Sequence, residues 1–565
     1  MSLFGSLQLA GNTLRAMQIG LHVVGNNIAN SNTPGFVRES VIYTPAPVQK
    51  IGNLTLGMGV EIAGIVQNID QFVVDRLRDA GGDRASADIQ EKAYRGLEGI
   101  LGELTDTDLS TSMTNFFNSI DEVLNEPENV SIRNLAIGEG EKLTTALRSL
   151  NRRVSKVHQD YNVRVKNLGN EINTLTGEIS KLNLKIVTTE GGRATSSKAG
   201  ALRSQRQVAL KRLAEIMDIT VHEQENGATS VSVNGQTLVF DAQQNKVELS
   251  QTSEGGLQKA TLQFVENKSP LEVSGGELHG LYEARDTITG GFLDGLDQFA
   301  AGLASEFNKI FSQGQGTTGF QQVTSAARVS DAGAVLDNAG LDVTPVNGQF
   351  DLLVYNTTTG QTTPTRVNVD LNGLDGDSTL SSLASTISAV DGVTAEVSFD
   401  KELIIRSDSK ELQFGFAKDT SGLLAALGIN TFFTGSRASD LAVNPVLLAD
   451  GSKFAASTDG IGVGTGNASR LVALHDTSLD SLDGNSLTGL YDQLVNKTTQ
   501  GSTVAKAVAD GLHVFESTLD ADAQAVSGVN LDEEAIRMIS LQRTYQASAR
   551  YISTLSDLLD MLVNL

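Results

Sequence analysis

The residue types able to do chemistry are few and dispersed. Six histidines, His22, His158, His222, His279, His475 and His513, lie far apart, and none has the i, i+4 partner that sets two imidazoles on one helical face around a metal. They read as structural or solvent-facing. With no cysteine there is no disulfide, thiolate nucleophile or thiolate metal site, and neither a Gly-x-Ser-x-Gly elbow nor a Walker A loop occurs. Gly314-Gln315-Gly316-Thr317-Thr318-Gly319 matches the dinucleotide fingerprint in form, but it follows a predicted helix instead of a strand and reads as a flexible linker. Asp370, Asn372, Asp375 and Asp377 crowd one loop with oxygen atoms. Leu374 and Asp375 nevertheless stand where a calcium loop needs a ligand and then a glycine, which leaves a solvated turn. No catalytic, metal or cofactor-binding residue is assigned, and the expectation is a non-enzyme without a cofactor.

The chain has 565 residues, enough for three or four domains. Its 43 Lys+Arg against 67 Asp+Glu give a charge of −24, which opposes binding to nucleic acid or to anionic membranes. No stretch approaches the roughly 18–20 uninterrupted apolar residues of a membrane span, so no membrane insertion is expected. The first basic residue is Arg15, and Gln8, Asn12, Thr13 and Gln18 interrupt the apolar residues, so the start lacks the pattern of a secretory signal. Charge is unevenly spread. From Lys142 to Arg212 there are 15 Lys+Arg and four Asp+Glu, a local +11 that leaves −35 elsewhere. This is either a solvated bundle face or a basic helical face, around Arg148, Arg152 and Arg153, that meets an acidic face of a neighbouring subunit.

Periodicity supplies the elements. Leu3, Leu7, Ala10, Leu14, Met17, Leu21, Val24 and Ile28 step by four and three, a heptad seam that predicts a helix ending near Asn30. Met538, Leu541, Tyr545, Ser548, Ile552, Leu555, Leu559 and Leu562 keep the same stepping at the other end. Asn530 caps that second helix, with Glu533 three positions on. Each helix needs cover for its apolar face, and the simplest partner is the other one, with leftover surface packing against neighbouring subunits. Leu143 to Ile186 predicts a helix of about 66 Å. Further helices are expected over about 83–124, 202–216, 293–310 and 486–526. Thr229–Val233 and Thr237–Phe240 around Asn234-Gly235 predict a hairpin within 218–284. Strands at 349–355 and 394–399 and a helix over 379–390 mark an inserted module at 321–438.

The predicted fold class is α+β multidomain: N- and C-terminal helices paired as a coiled coil (1–45 plus 528–565), an elongated helical bundle with β-hairpins (46–320 plus 439–527, hairpins at 218–284), and an inserted mostly β (α+β) module at 321–438.

Two stretches carry a resemblance. Ala29-Asn30-Ser31-Asn32-Thr33-Pro34-Gly35-Phe36-Val37-Arg38 resembles the signature of flagellar rod, hook and hook-associated proteins. Ser527-Gly528-Val529-Asn530-Leu531-Asp532-Glu533-Glu534-Ala535, continuing through Leu541-Gln542-Arg543-Thr544-Tyr545-Gln546-Ala547-Ser548-Ala549-Arg550, is similar to the C-terminal signature of the same group. Within the group, the long helical region, Val208 to Asp218 and Ala442-Val443-Asn444-Pro445 are similar to hook–filament junction proteins.

The resemblance implies a structural junction adaptor of the bacterial flagellum, secreted through the type III export apparatus. Its implied partners are further copies of itself in a ring-like layer, the hook protein, a second junction protein and an export chaperone. In the resemblance Ala29, Asn30, Thr33, Pro34, Gly35 and Phe36 are motif residues, and Ile552, Leu555, Leu559 and Leu562 are the chaperone-binding candidates. Two alternatives stay open: another axial subunit such as a hook or rod protein, and a secreted protein with an enzymatic or adhesive insert at 321–438.

Overall fold

A computed structural model describes residues 3–51, 54–102, 109–191, 199–254, 257–462 and 464–563. The chain divides into two units: Met1–Ala93, Gln159–Arg285 and Thr503–Leu565 form one, and Tyr94–His158 and Asp286–Ser502 the other.

In the first unit the helix Leu3–Ala29 ends where the sequence changes character. Asn30 turns its side chain back onto the Asn26 carbonyl (Nδ2–O 2.9 Å), Thr33 donates its N–H to the Asn30 carbonyl, and Gly35 takes φ = +74°, which glycine adopts without strain. Pro34 lacks the N–H that a continuing helix needs. The chain then enters an antiparallel hairpin, Glu39–Pro45 with Val60–Gln67, bulged between Ile42 and Tyr43.

The long helix predicted from Leu143 spans Val130–Glu190, 61 residues. Within the first unit it holds strands through three asparagines spaced about three turns apart. Asn162 donates to the Gln258 carbonyl (2.7 Å) and accepts from Ala260 N–H (2.9 Å). Asn173 does the same with Val247 (2.8 and 2.9 Å), and Asn183 with Thr229 (2.7 and 3.1 Å). Each side-chain amide stands in for a neighbouring strand and satisfies backbone groups that would otherwise lack a partner. Asn234 and Gly235 both have positive φ, 44° and 77°, the turn geometry expected between Thr229–Val233 and Gln236–Phe240.

The second unit is organised by phenylalanines from distant segments. Phe116, Phe307, Phe432 and Phe433 are buried with ring centroids 4.8–5.8 Å apart, and Phe311 joins them at 5.4 Å from Phe432. The long helix passes this cluster at Gly140, where a Cβ would lie 2.6 Å from the Phe432 ring. That helix begins well before Leu143 because Arg133, Ala136 and Ile137 bury its first turns. Arg133 satisfies its guanidinium with carbonyls alone, those of Pro127 (Nε–O 2.8 Å) and Phe454 (2.5 Å), and burial pulls its pKa down to about 10.

Residues 321–438 contain two three-stranded antiparallel sheets. One orders Thr362–Val369, Gly348–Asn356 and Leu412–Ala417; the other orders Gln322–Thr324, Leu403–Ser407 and Val393–Val397. Helix Leu380–Ser388 packs on them, started by a capping box between Thr379 and Ser382. Leu352, Val367, Ile387, Ile405, Phe414 and Phe416 lie in one continuous core.

The expectation of a flexible linker at 314–319 is not met. Gly314, Gln315, Gly316 and Gly319 are buried, the Gln315 backbone exchanges hydrogen bonds with Ser457, and a Cβ on Gly314 or Gly319 would stand 2.6 Å from the Ala455 carbonyl or Ile461. These glycines permit close packing of backbone on backbone, a role that composition does not separate from flexibility. In the 370–377 loop, Asp377 accepts the Asn372 and Gly373 N–H groups (both 3.1 Å), and Asn372 accepts that of Leu374 (2.8 Å). The oxygens of Asp377 and Asn372 thus shape the turn.

Candidate functional site

The terminal helices, Leu3–Ala29 and Leu531–Val563, pack together and run antiparallel. Two contacts set their alignment. Gly20 faces Leu541, whose Cδ1 lies 3.2 Å from where a glycine Cβ would project, and Asn27 meets Glu534, one heptad further along each helix in opposite directions. On its other side Gly20 faces the Tyr43 hydroxyl from the hairpin. Only a residue without a side chain admits both neighbours.

The predicted seam residues are distributed as follows. Val24 and Leu555 are buried; Leu7, Leu14, Met17, Leu21, Ile28, Met538, Leu541, Ile552 and Leu559 are half-buried; Tyr545 is exposed. The side chains of Leu3 and Leu562 lie outside the described residues. Contact with the C-terminal helix is made at Gly20 and Asn27, the positions just before Leu21 and Ile28. Among the motif residues, Asn30 and Phe36 are half-buried, whereas Ala29, Thr33, Pro34 and Gly35 are exposed on the turn.

Sequence reasoning missed the polar group at the base of this pair. Asn27 is fully buried; its Nδ2 donates to the Glu39 carbonyl (2.9 Å) and to Glu534 Oε2 (3.0 Å), while its Oδ1 accepts the Glu39 N–H (3.0 Å). Glu534, also without exposure, takes Arg38 Nε on its other oxygen (2.9 Å). Arg38 reaches Glu533 as well (3.1 Å) and anchors its own N–H on the Ser527 carbonyl (3.0 Å). Asn530 does cap the helix, accepting from Asp532 and Glu533 N–H groups (3.0 and 3.3 Å), but the Glu533 carboxylate turns to Arg38. The signal available in the sequence was position: Asn27 lies one residue before Ile28 of its seam, and Glu534 falls four residues before Met538, where the other seam would continue. Nearby, burial raises the Glu39 carboxyl above its ordinary pKa, against smaller opposing effects of Asn26 and His22.

Outward from this pair, large apolar side chains face solvent. Phe4, Ile19, Ile536, Ile539, Tyr551, Leu558 and Met561 are all exposed, Phe4 and Ile536 by about 70%. That is more apolar surface than two thin helices normally leave uncovered. Part of the basic excess at 142–212 is internal: Arg203 pairs with Glu190 and Glu223 (2.8 and 2.5 Å), and Arg212 with Glu171, Glu215 and Glu277 (2.6–3.1 Å). Among the described residues no group of three or more His, Asp or Glu side chains is arranged to hold a metal ion, and no helix is long and apolar enough to cross a membrane.

Comparison with known proteins agrees with this layout. Residues 94–324 match the model described as "Flagellar hook-associated protein FlgK helical domain", residues 7–36 "Flagella basal body rod protein", and residues 523–565 "Flagellar basal body rod FlgEFG protein C-terminal". Flagellar hook-associated protein 1 of Escherichia coli K12 is 23% identical over 573 residues, covering 98% of both chains. That of Bacillus subtilis 168 is 23% identical over 574 residues, covering 100% of this chain and 98% of the relative. Along nearly its whole length the chain is thus similar to flagellar hook-associated protein 1, and its long helical region matches the helical-domain model of that family. The flagellar hook junction protein FlgK from Burkholderia pseudomallei shares the fold, with a TM-score of 0.50 at 15% identity over 80% of this chain and 100% of that one. Hook-associated proteins are structural, not enzymes, which accords with the scattered histidines. The two terminal models meet at the paired helices, so the family signatures and the buried Asn27–Glu534 contact occupy one place in the fold.

Proposed function

We propose that the chain is a structural adaptor at the junction of flagellar hook and filament, built into a ring-like layer of identical subunits and performing no catalysis. The observation that carries this reading is the terminal helix pair, which joins both family signatures and still exposes Phe4, Ile536 and Met561. In this reading the segments 1–45 and 528–565 form the inner coiled coil, 46–320 and 439–527 the surrounding bundle, and 321–438 an outward module. The hook protein and a second junction protein are its neighbours. Arg148, Arg152 and Arg153 offer a basic face to an acidic neighbouring subunit, and reversing all three to Glu should weaken assembly.

Before assembly the subunit passes the type III export apparatus with Ile552, Leu555, Leu559 and Leu562 held by a chaperone. Leu555 is 5% exposed in the helix pair, so the face offered to a chaperone is also one the fold covers. A Leu555→Asp, Leu559→Asp variant should lose chaperone binding in a pull-down, and undiminished capture would refute the assignment.

The deciding experiment is electron microscopy of cells lacking the gene, together with an assay of flagellin in the medium. Hooks without filaments and flagellin shed outside support the adaptor. Missing hooks move the protein to the rod or hook, and normal filaments reject the reading.

A further inference from the structure

We propose that Asn27 and Glu534, with Arg38 behind the carboxylate, are positioning residues that fix the register of the terminal helix pair. The apolar side chains are poor at this task. Leu7, Leu14, Leu21 and Ile28 repeat every seven residues on one helix, and Met538, Tyr545, Ile552 and Leu559 do so on the other, so sliding one helix by a heptad exchanges one apolar side chain for another.

The polar pair is not interchangeable. A slip of seven residues one way sets Asn27 against Leu541, and the opposite slip sets Glu534 against Gly20. Either leaves a buried amide or carboxylate without its partner, a cost that rejects the slipped state. In the observed register both donors of the Asn27 amide are used, and each Glu534 oxygen has a donor. Arg38 and Glu39 follow directly on the turn at Thr33–Gly35, so that turn delivers the two groups that complete the contact.

The inference rests on the assembly reading for its purpose, because register decides which exposed side chains of the two helices stand together before a neighbouring subunit. Its test does not. The full-length chain has no cysteine, so introduced pairs report pairing directly. Continuing the spacing by one heptad from Gly20–Leu541 places Thr13 beside Ser548, while Thr13 beside Leu555 reports a slipped register.

In the purified chain, T13C/S548C should form its disulfide about tenfold faster than T13C/L555C, the selectivity expected from one buried polar contact. Adding N27L and E534L together removes both polar groups from the contact between the two helices. Helix content by circular dichroism should persist while the two disulfides form at similar rates. Selectivity kept in that background overturns the proposal, as does a parent chain in which T13C/S548C does not cross-link. Should N27L/E534L fail to fold, smaller changes decide: E534Q keeps an acceptor for Asn27 and should retain selectivity, N27V should lose it, and retention in N27V overturns the proposal. A normal filament phenotype in gene-deleted cells would instead reject the junction reading and leave these rates untouched.

Discussion

Asn27 and Glu534, 507 positions apart in the chain, share a 3.0 Å hydrogen bond in which neither side chain reaches solvent. Removing one partner breaks the buried link between the two helices. Glu534→Ala leaves Asn27 with only the Glu39 carbonyl and Arg38 with only the exposed Glu533, and should cost the first unit about 3–5 kcal/mol. Hydrogen exchange of the amides in 531–545 should accelerate, while amides in 348–356 should be unaffected.

Gly20 sits between Tyr43 and Leu541 with no room for a methyl group. Gly20→Ala should destabilise the helix pair by about 1–3 kcal/mol, as overpacking does. Since the nearest atom is the Tyr43 hydroxyl, adding Tyr43→Phe should restore part of the loss. Urea unfolding of the single and double variants measures that recovery, and no recovery would place the strain at Leu541 instead.

Phe432 touches aromatic rings from three other segments, whereas Phe399, just after the strand Val393–Val397, is fully exposed. Phe432→Ala should cost about 3–5 kcal/mol, the usual penalty for emptying an aromatic core site. Phe399→Ser should leave thermal unfolding unchanged. Calorimetry of the two variants gives the comparison.

The Glu39 carboxyl titrates above its ordinary value because burial disfavours its charged form. Its contribution to stability is therefore fully present below the unfolded-state pKa and is lost as pH rises through the higher folded-state pKa. Glu39→Gln should be more stable than the parent at neutral pH, and the difference should shrink as pH falls towards 4. A difference independent of pH between 4 and 7 would exclude this carboxyl as the source.

The helices were legible because burial imposes a period. The Leu143–Ile186 seam and the two terminal stripes each cover one face against a partner, and the residues show it. The hairpin at Asn234-Gly235 was legible because few residue pairs tolerate positive φ in succession. The polar contact at Asn27 was not, since a buried amide and a solvated one are the same letter until its partner, hundreds of residues away, is known. The onset of the long helix was hidden for a related reason: Arg133 reads as a surface charge, yet carbonyls from Pro127 and Phe454 enclose it. The phenylalanine cluster is similarly dispersed, drawing Phe116, Phe307 and Phe432 from segments whose sequences say nothing of one another. Gly314–Gly319 was misread because glycine serves both loose chain and tight packing, and only the neighbours distinguish them.

The antiparallel terminal pair has a consequence for how a polypeptide declares itself finished. Its first helix waits for a strip that the ribosome delivers some five hundred residues later, and closing so large a loop yields nothing until that strip arrives. A product broken off before Glu534 keeps its middle segments but leaves Asn27 and Arg38 unanswered at the opposite extremity. Truncation anywhere upstream is thereby converted into one local defect at the very surface proposed to meet other copies, so the molecule audits its own length at the moment it becomes able to join them.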